Sequence, residues 1–320
     1  MPRRVALTGG AGFIGGAVAR ALAARSDDVV ALVRDVDRPG RLNEIGAMLV
    51  EDDLSDTGRL TRALDGADAV IHSAGSYRIG VPPSERDAMW DANVGTTTRV
   101  LDAAVAAGVP RIVYVSTVNV FGNTRGRVVD ESYRRDLLDG FLSWYDETKY
   151  LAHEVVEARI AAGAPIVIVM PSQVYGPNDH SAFGEQLSLA HAGKLPYRAL
   201  DDVGAGLVHV DDLAVGIIAA LDSGVLGRAY VLSGPRTTLR DAIGLAARLG
   251  GRKPPAVRVP TRLLRLLAPL GGLIGQPNLR EVIASSSGVT YWATADRARA
   301  ELGWQARDIE TGFRDMFATA

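Results

Sequence analysis

Short apolar runs alternate with longer amphipathic stretches along the first half of the chain, and no other feature constrains the fold as strongly. The apolar runs are residues 4–8 (RVALT), 29–33 (VVALV), 47–50 (AMLV), 69–72 (AVIH), 111–115 (RIVYV) and 166–170 (IVIVM). Between them, residues 12–25, 57–65, 87–107 and 144–162 carry helical periodicity. Apolar strands separated by helices predict a parallel sheet covered on both faces, because a parallel pair needs a crossover connection. Right-handed crossovers then predict an α/β fold built on a doubly wound parallel sheet. After residue 171 the rhythm changes. Residues 181–193, 211–222, 237–249 and 261–270 read as helices, and 207–210 and 229–232 as short strands. The expectation is a sheet domain over residues 1–170, with contributions from about 205–233, and a smaller interleaved α/β lobe formed mainly by residues 171–320. The leucine-rich helix 261–270 (TRLLRLLAPL) is expected to be a lid or core helix, with a substrate wall or a membrane-surface patch as the other readings.

Residues 5–15 (VALTGGAGFIG) place Gly9, Gly12 and Gly15 where the first strand hands over to the first helix. Glycines there let the backbone turn sharply and approach a pyrophosphate, which the helix N-terminus stabilises with free amides. The pattern is that of a Rossmann dinucleotide site. At the end of the second strand, Arg34 stands where a cation pairs with the 2′-phosphate of NADP, with Arg38 and Arg41 behind it. Asp35, one residue on, is placed to reach the ribose of NAD instead. Asp53-Leu54 follows the third strand, where a carboxylate accepts from the adenine amino group. Ser73-Ala74-Gly75 closes the fourth with residues small enough for backbone to lie against a cofactor.

Tyr145 and Lys149 are four residues apart and so share a helix face. A phenol titrates near 10 and is a poor acid–base group at neutral pH, but a neighbouring ammonium favours its phenolate. Tyr150, with no lysine four residues on, does not repeat the pattern. A hydroxyl at the end of the fifth strand, Ser116 or Thr117, completes a carbonyl-binding group.

Composition narrows the alternatives. The net charge of −2 excludes the dense basic face of a nucleic-acid binder. The absence of cysteine excludes disulfides and thiolate metal sites, and the five histidines lack metal-ligand spacing, so no metal is expected. The apolar run after Met1-Pro2-Arg3-Arg4 breaks at Gly9-Gly10, too early for a signal peptide, and no run spans a membrane. A cytoplasmic protein without membrane partners is expected.

Nearly the whole length resembles the extended short-chain dehydrogenase/reductases, the epimerase/dehydratase superfamily. The resemblance is carried by TGGAGFIG at 8–15, DL at 53–54, HSAG at 72–75, NVGT at 93–96, VSTVNVFG at 115–122, YDETK at 145–149, PSQVYGP at 171–177, HVDD at 209–212 and ELGW at 301–304. It implies catalysis by Thr117, Tyr145 and Lys149. It implies cofactor contacts from Thr8, Gly9, Gly12, Phe13, Ile14, Gly15, Arg34, Asp53, Leu54, Ser73, Ala74, Gly75, Ser116, Tyr145, Lys149 and Pro171. It also implies a homodimer through helices 87–107 and 144–162, with residues 171–320 mainly binding substrate.

Departures from the family pattern bear on the substrate. The two acids of sugar-nucleotide dehydratases are replaced by Val118 and Asn119. Two arginines that grip a sugar-nucleotide diphosphate are replaced by Ala205 and Ala284, and the arginine that usually precedes Pro171 is Met170. The VRD at 33–35 resembles dihydroflavonol-reductase-like proteins, where the arginine reads NADP. The reading is an NADP(H)-dependent oxidoreductase, with NAD as the other cofactor, that reduces a ketone or aldehyde of a small or medium organic substrate. An NAD-dependent sugar-nucleotide epimerase is the alternative, and a non-catalytic dinucleotide sensor the third. Segments 76–90, 121–144, 178–205 and 262–290 are expected to form the substrate pocket, with Tyr77, Trp90, Phe121, Trp144, Tyr175 and Phe183 as lining candidates.

Overall fold

The computed structural model describes residues 2–274 and 278–318; Met1 and residues 275–277 of the expected pocket segment 262–290 lie outside them. Six apolar runs form the parallel strands β1 (Arg4–Thr8), β2 (Asp28–Val33), β3 (Met48–Glu51), β4 (Ala69–His72), β5 (Ile112–Val115) and β6 (Ile166–Pro171). A seventh strand, Ala229–Leu232, pairs with β6, and the order across the sheet is Ala229–Leu232, β6, β5, β4, β1, β2, β3. The order reverses between β1 and β4, and the crevice outside the carboxyl ends of strands at such a point is where α/β sheets bind ligands.

Alternate residues along each strand feed two cores. Val5 and Leu7 of β1 pack with helices Phe13–Ala24 and Val210–Ser223, while Ala6 faces helices Thr57–Ala63, Thr96–Ala106 and Trp144–Ala161. Each fully buried Val, Leu or Ile contributes about 1.5–3 kcal/mol of transfer free energy, so neither sheet face can be left uncovered. A third core, with Tyr175, Leu187, Ile243 and Phe313, belongs to the smaller lobe. That lobe contains strands the sequence reading missed. Gln173–Tyr175, Arg236–Thr238 and Thr290–Tyr291 all pair with Gly204–His209, and Arg198–Ala199 pairs with Arg258–Val259. Apart from the six-residue Gly204–His209, each has two or three residues, too few to show a periodicity.

One expectation gains a detail and another changes. The helix expected at 87–107 runs without interruption over residues 86–106, as Arg86–Trp90, a π-turn at Asp91–Gly95, and Thr96–Ala106. Helix Thr261–Leu267 is not a core helix, because none of its residues is buried; Leu263, Leu266 and Leu267 are exposed. The HVDD and ELGW motifs serve the architecture. Arg307 forms a bidentate pair with Asp212 (Nη2 to Oδ1 2.7 Å, Nε to Oδ2 2.9 Å), and Trp304 Nε1 donates to the Asp212 carbonyl (2.7 Å). Among the described residues no helix is long and apolar enough to cross a membrane.

Candidate active site

A cleft of about 1810 Å³ runs along the carboxyl ends of the sheet strands and into the smaller lobe. The glycine turn forms one end. Gly9 has φ +75°, and a Cβ there would lie 2.7 Å from the Ala74 amide nitrogen, so this position excludes side chains twice over. A Cβ on Gly15 would overlap the Gly9 carbonyl oxygen, and one on Gly12 would approach it to 3.2 Å. The helix Phe13–Ala24 starts at Gly12 with no side-chain cap and no acid in its first turn. Phe13, Ile14 and Gly15 therefore line the cleft with their dipole end uncompensated. A side-chain-free turn against an uncapped helix N-terminus fits a dinucleotide pyrophosphate.

Arg34 and Asp35 line the same end, as do Asp53, Leu54, Ser73, Ala74 and Gly75. Arg34 is exposed and makes no ion pair among the described residues, whereas Arg38 faces Asp35 (3.6 Å) and Arg41 faces Glu44 (3.1 Å). Asp53 is exposed and held by Ser55 (2.6 Å) and Arg59 (2.7 Å), and those Ser55 hydrogen bonds hold its carboxyl below the usual range. Leu54 has φ +61°, a strained conformation for a branched side chain, and its amide donates to Asp52 Oδ1 (2.7 Å). Asp52, which sequence reasoning passed over, is buried and also lines the cleft.

Thr8 does not line it. Its side chain is fully buried; its hydroxyl pairs with His72 Nδ1 (2.7 Å) and accepts from the Ala74 amide (3.3 Å). The predicted contact residue is thus a support beneath the loop that holds Ser73–Gly75. Asn93, delivered by the π-turn, is a second support: its Oδ1 accepts from the Ser76 amide (2.7 Å), and its Nδ2 donates to Thr148 Oγ1 (3.0 Å). An extra residue in a helical turn re-aims a side chain in this way.

Ser116, Thr117, Tyr145, Lys149 and Pro171 come together at the centre of the cleft. Ser143 caps the Tyr145 helix through the Asp146 amide (3.0 Å), which fixes the helix start and the tyrosine with it. Lys149 Nζ donates to the Val115 carbonyl (3.2 Å) and to the Tyr114 hydroxyl (3.4 Å). The Ser116 hydroxyl is engaged by His153 Nδ1 (2.9 Å), which leaves Thr117 as the hydroxyl beside Tyr145. The expected lowering of the Tyr145 pKa is not what this site shows. Burial pushes the phenol up, Tyr77 and Asp146 add to the shift, and the Thr117 hydroxyl pulls against it. The Lys149 ammonium, drawn toward the end of β5, makes no hydrogen bond to it.

The other end of the cleft belongs to the smaller lobe. Of the aromatic candidates, Tyr77 and Phe183 line it, and Tyr77 stands edge-on to Tyr145 with ring centroids 4.8 Å apart. Trp90, Phe121, Trp144 and Tyr175 do not line it; Tyr175 is core, packed against Phe313. No residue of segment 121–144 lines it; Thr124 and Val129 are bonded instead to the stretch 290–294. Gln173, Ala205, Leu207, Thr237, Leu239, Ser285 and Tyr291 line it together with Asp179 and His180. Gln173, Thr237 and Tyr291 stand on the short strands that had no sequence signal, whereas Ala205 and Leu207 belong to the longer strand Gly204–His209. At this end Lys149 is the sole lysine or arginine among the described lining residues; Arg20, Arg34, Arg38 and Arg41 all lie at the glycine-turn end. His209, Asp211 and Asp315, the last two of which also line the cleft, bring ligand-type atoms within 4.8 Å of one another. Arg307 (3.4 Å from Asp315) and Arg20 (3.4 Å from Asp211) already supply the countercharge there.

Comparison with known proteins agrees with this geometry. Over 97% of its length the chain is 30% identical to a putative dihydroflavonol 4-reductase of Synechocystis sp., covering 92% of that protein. It is 28% identical to a 2-alkyl-3-oxoalkanoate reductase of Stenotrophomonas maltophilia, covering 99% of each chain. The fold superimposes with a TM-score of 0.80 on a dTDP-glucose 4,6-dehydratase of Streptomyces venezuelae solved with NAD, at 25% identity and covering 98% and 95% of the two chains. Residues 5–233 match the model of a single family, so with its glycine turn, Tyr–Lys helix and reversed sheet order the chain belongs to the NAD dependent epimerase/dehydratase family, the extended short-chain dehydrogenase/reductases.

Proposed function

We propose that the protein is an NADP(H)-dependent reductase that converts a ketone or aldehyde of a small or medium organic substrate to the alcohol. The observation that carries this reading is that, apart from the catalytic Lys149, no lysine or arginine lines the substrate end of the cleft among the described residues. A diphosphate needs charge-assisted partners, and here Ala205 stands where one family arginine would, while Asp179 also lines the cleft. The reductase names of the two relatives point the same way.

The dinucleotide, when bound, supplies the hydride that reduces the carbonyl carbon. The chain does the rest. Tyr145, kept neutral by burial, gives its proton to the carbonyl oxygen. Thr117 orients that oxygen, and Lys149, fixed on the Val115 carbonyl, contributes a positive charge that favours the phenolate left behind. Arg34 supports NADP over NAD because it is the unpaired cation at the tip of β2.

The test is a panel of ketones and aldehydes assayed by NADPH oxidation, beside sugar nucleotides assayed with NAD. Turnover of a carbonyl is expected, reduced by about 10²–10⁴-fold in Tyr145→Phe while dinucleotide binding is retained. Redox-neutral turnover of a sugar nucleotide with a silent carbonyl panel would replace this reading with the epimerase.

A further inference from the structure

Behind Thr117 the cleft wall holds a chain of polar side chains that the chemistry above does not use. The Thr117 hydroxyl donates to Asn119 Oδ1 (3.1 Å) and accepts from the Asn119 amide (3.2 Å). Asn119 Nδ2 donates to Asp146 Oδ1 (3.1 Å). Asp146 is fully buried, and its other oxygen, Oδ2, has no hydrogen-bond partner. A buried unpaired carboxylate oxygen costs more than the carbonyl oxygen of a neutral acid, so it asks for an explanation.

A hydroxyl has one proton and two lone pairs, and an amide side chain can turn end for end. While Asp146 is ionised, only the NH₂ end of Asn119 can face it. Asn119 Oδ1 then takes the Thr117 proton, and Thr117 shows the cleft a lone pair. When Asp146 is protonated it can donate to Asn119 Oδ1 instead. The turned Nδ2 then donates to Thr117, whose second lone pair is already filled by the Asn119 amide, and the Thr117 proton is released toward the cleft.

We propose that Asp146 is a positioning residue that sets, through Asn119, whether Thr117 offers a proton or a lone pair to the substrate oxygen. Its kinetic consequence rests on the reductase reading. A carbonyl oxygen accepts, so reduction is favoured with Asp146 protonated; an alcohol donates, so oxidation is favoured with Asp146 ionised.

The surroundings put this change within reach. Burial raises Asp146 to about 6, against the pull of Asn119, Arg135 and Ser143 and with a further push from Glu281. The phenols facing it, Tyr77, Tyr145 and Tyr291, are all raised and stay neutral near that pH. Above about pH 6 the folded protein holds Asp146 ionised, and below it protonated.

An NMR titration tests the coupling without turnover. The Asn119 side-chain NH₂ signals are identified by their loss in Asn119→Ser, and the Asp146 carboxyl by its loss in Asp146→Asn. Both sets are expected to move with one midpoint near pH 6, and the Asn119 signals to stop moving in Asp146→Asn. Asn119 signals that stay still between pH 5 and 7, or that keep the same step in Asp146→Asn, overturn the proposal. The second measurement is kcat against pH in both directions for a ketone–alcohol pair. Through about pH 6, reduction is expected to fall and oxidation to rise roughly three- to tenfold, the size of one neutral hydrogen bond. A step that survives in Asp146→Asn overturns the kinetic half. If no carbonyl or alcohol turns over, the reductase reading fails, and the titration still decides whether Asp146 sets the orientation of Asn119.

Discussion

Arg34 owes its significance to its neighbours. Arg38 faces Asp35 and Arg41 faces Glu44, so among the described residues Arg34 is the guanidinium at the tip of β2 that has no ion pair. Replacing it should discriminate between the two dinucleotides. In Arg34→Ala, KM for NADPH should rise about tenfold or more, the worth of a hydrogen bond to a charged group, while KM for NADH changes less than about twofold. Equal losses for both cofactors would mean that Arg34 supports the loop and does not read the phosphate. The place of Arg34 was legible in the sequence because it follows the last apolar residue of a particular strand. Tyr145 and Lys149 were legible through their spacing on one helix. The Lys149–Val115 contact was not, because spacing places two residues on a face without saying which way a long side chain leans. Thr8 shows the opposite failure: the motif marked it, and only the fold shows that its hydroxyl is spent on His72 beneath the loop.

At the scale of elements, the glycine turn and its helix behave as one unit, and two adjacent glycines in it carry opposite predictions. Gly15 is buried against the Gly9 carbonyl, so the methyl group added by Gly15→Ala must displace the turn. Gly16 lies one residue further round, where a Cβ would sit 3.5 Å from the Gly10 carbonyl oxygen, an ordinary contact. Gly15→Ala should therefore weaken dinucleotide binding at least tenfold in a fluorescence titration. Gly16→Ala should leave the turn in place and stabilise the unliganded protein by about 0.5–1 kcal/mol, read as a raised Tm, because alanine is the better helix former. A Gly15→Ala protein that binds normally would show that the turn relaxes at little cost. The π-turn at Asp91–Gly95 was not legible, since one additional residue in a turn leaves the apolar pattern of 87–107 almost unchanged. The leucines of Thr261–Leu267 misled for a related reason: periodicity shows that Leu263, Leu266 and Leu267 share a face, and does not show what that face meets.

Across the whole molecule, the sheet was legible because its strands are apolar on both faces, whereas of the second sheet only the central strand Gly204–His209 left a sequence signal, its two- and three-residue partners being defined by tertiary pairing alone. Where the layers meet, one buried group ties them together. His72 at the end of β4 contacts Thr8 of β1 (2.7 Å) and Thr97 of helix Thr96–Ala106 (3.1 Å). Burial, aided by the Lys149 charge, lowers its pKa from 6.5 to about 3. The folded protein thus holds His72 neutral where the unfolded chain protonates it. The stability this site contributes is complete above about pH 6.5 and is lost as pH falls toward 3. Asp146, raised from 3.8 to about 6, acts with the opposite sign, since its folded form binds a proton that the unfolded chain releases between those values. Total stability against pH therefore mixes the two, and a difference between proteins separates them. Asp146 is common to the wild type and His72→Gln and cancels in their comparison. The wild-type advantage in unfolding free energy, measured by urea denaturation, should shrink by about 3 kcal/mol between pH 7.5 and 4, at roughly 1.4 kcal/mol for each unit below 6.5. An advantage that holds constant over that range would mean that His72 takes up its proton inside the folded protein, and that the contacts of Thr8 and Thr97 survive the charge.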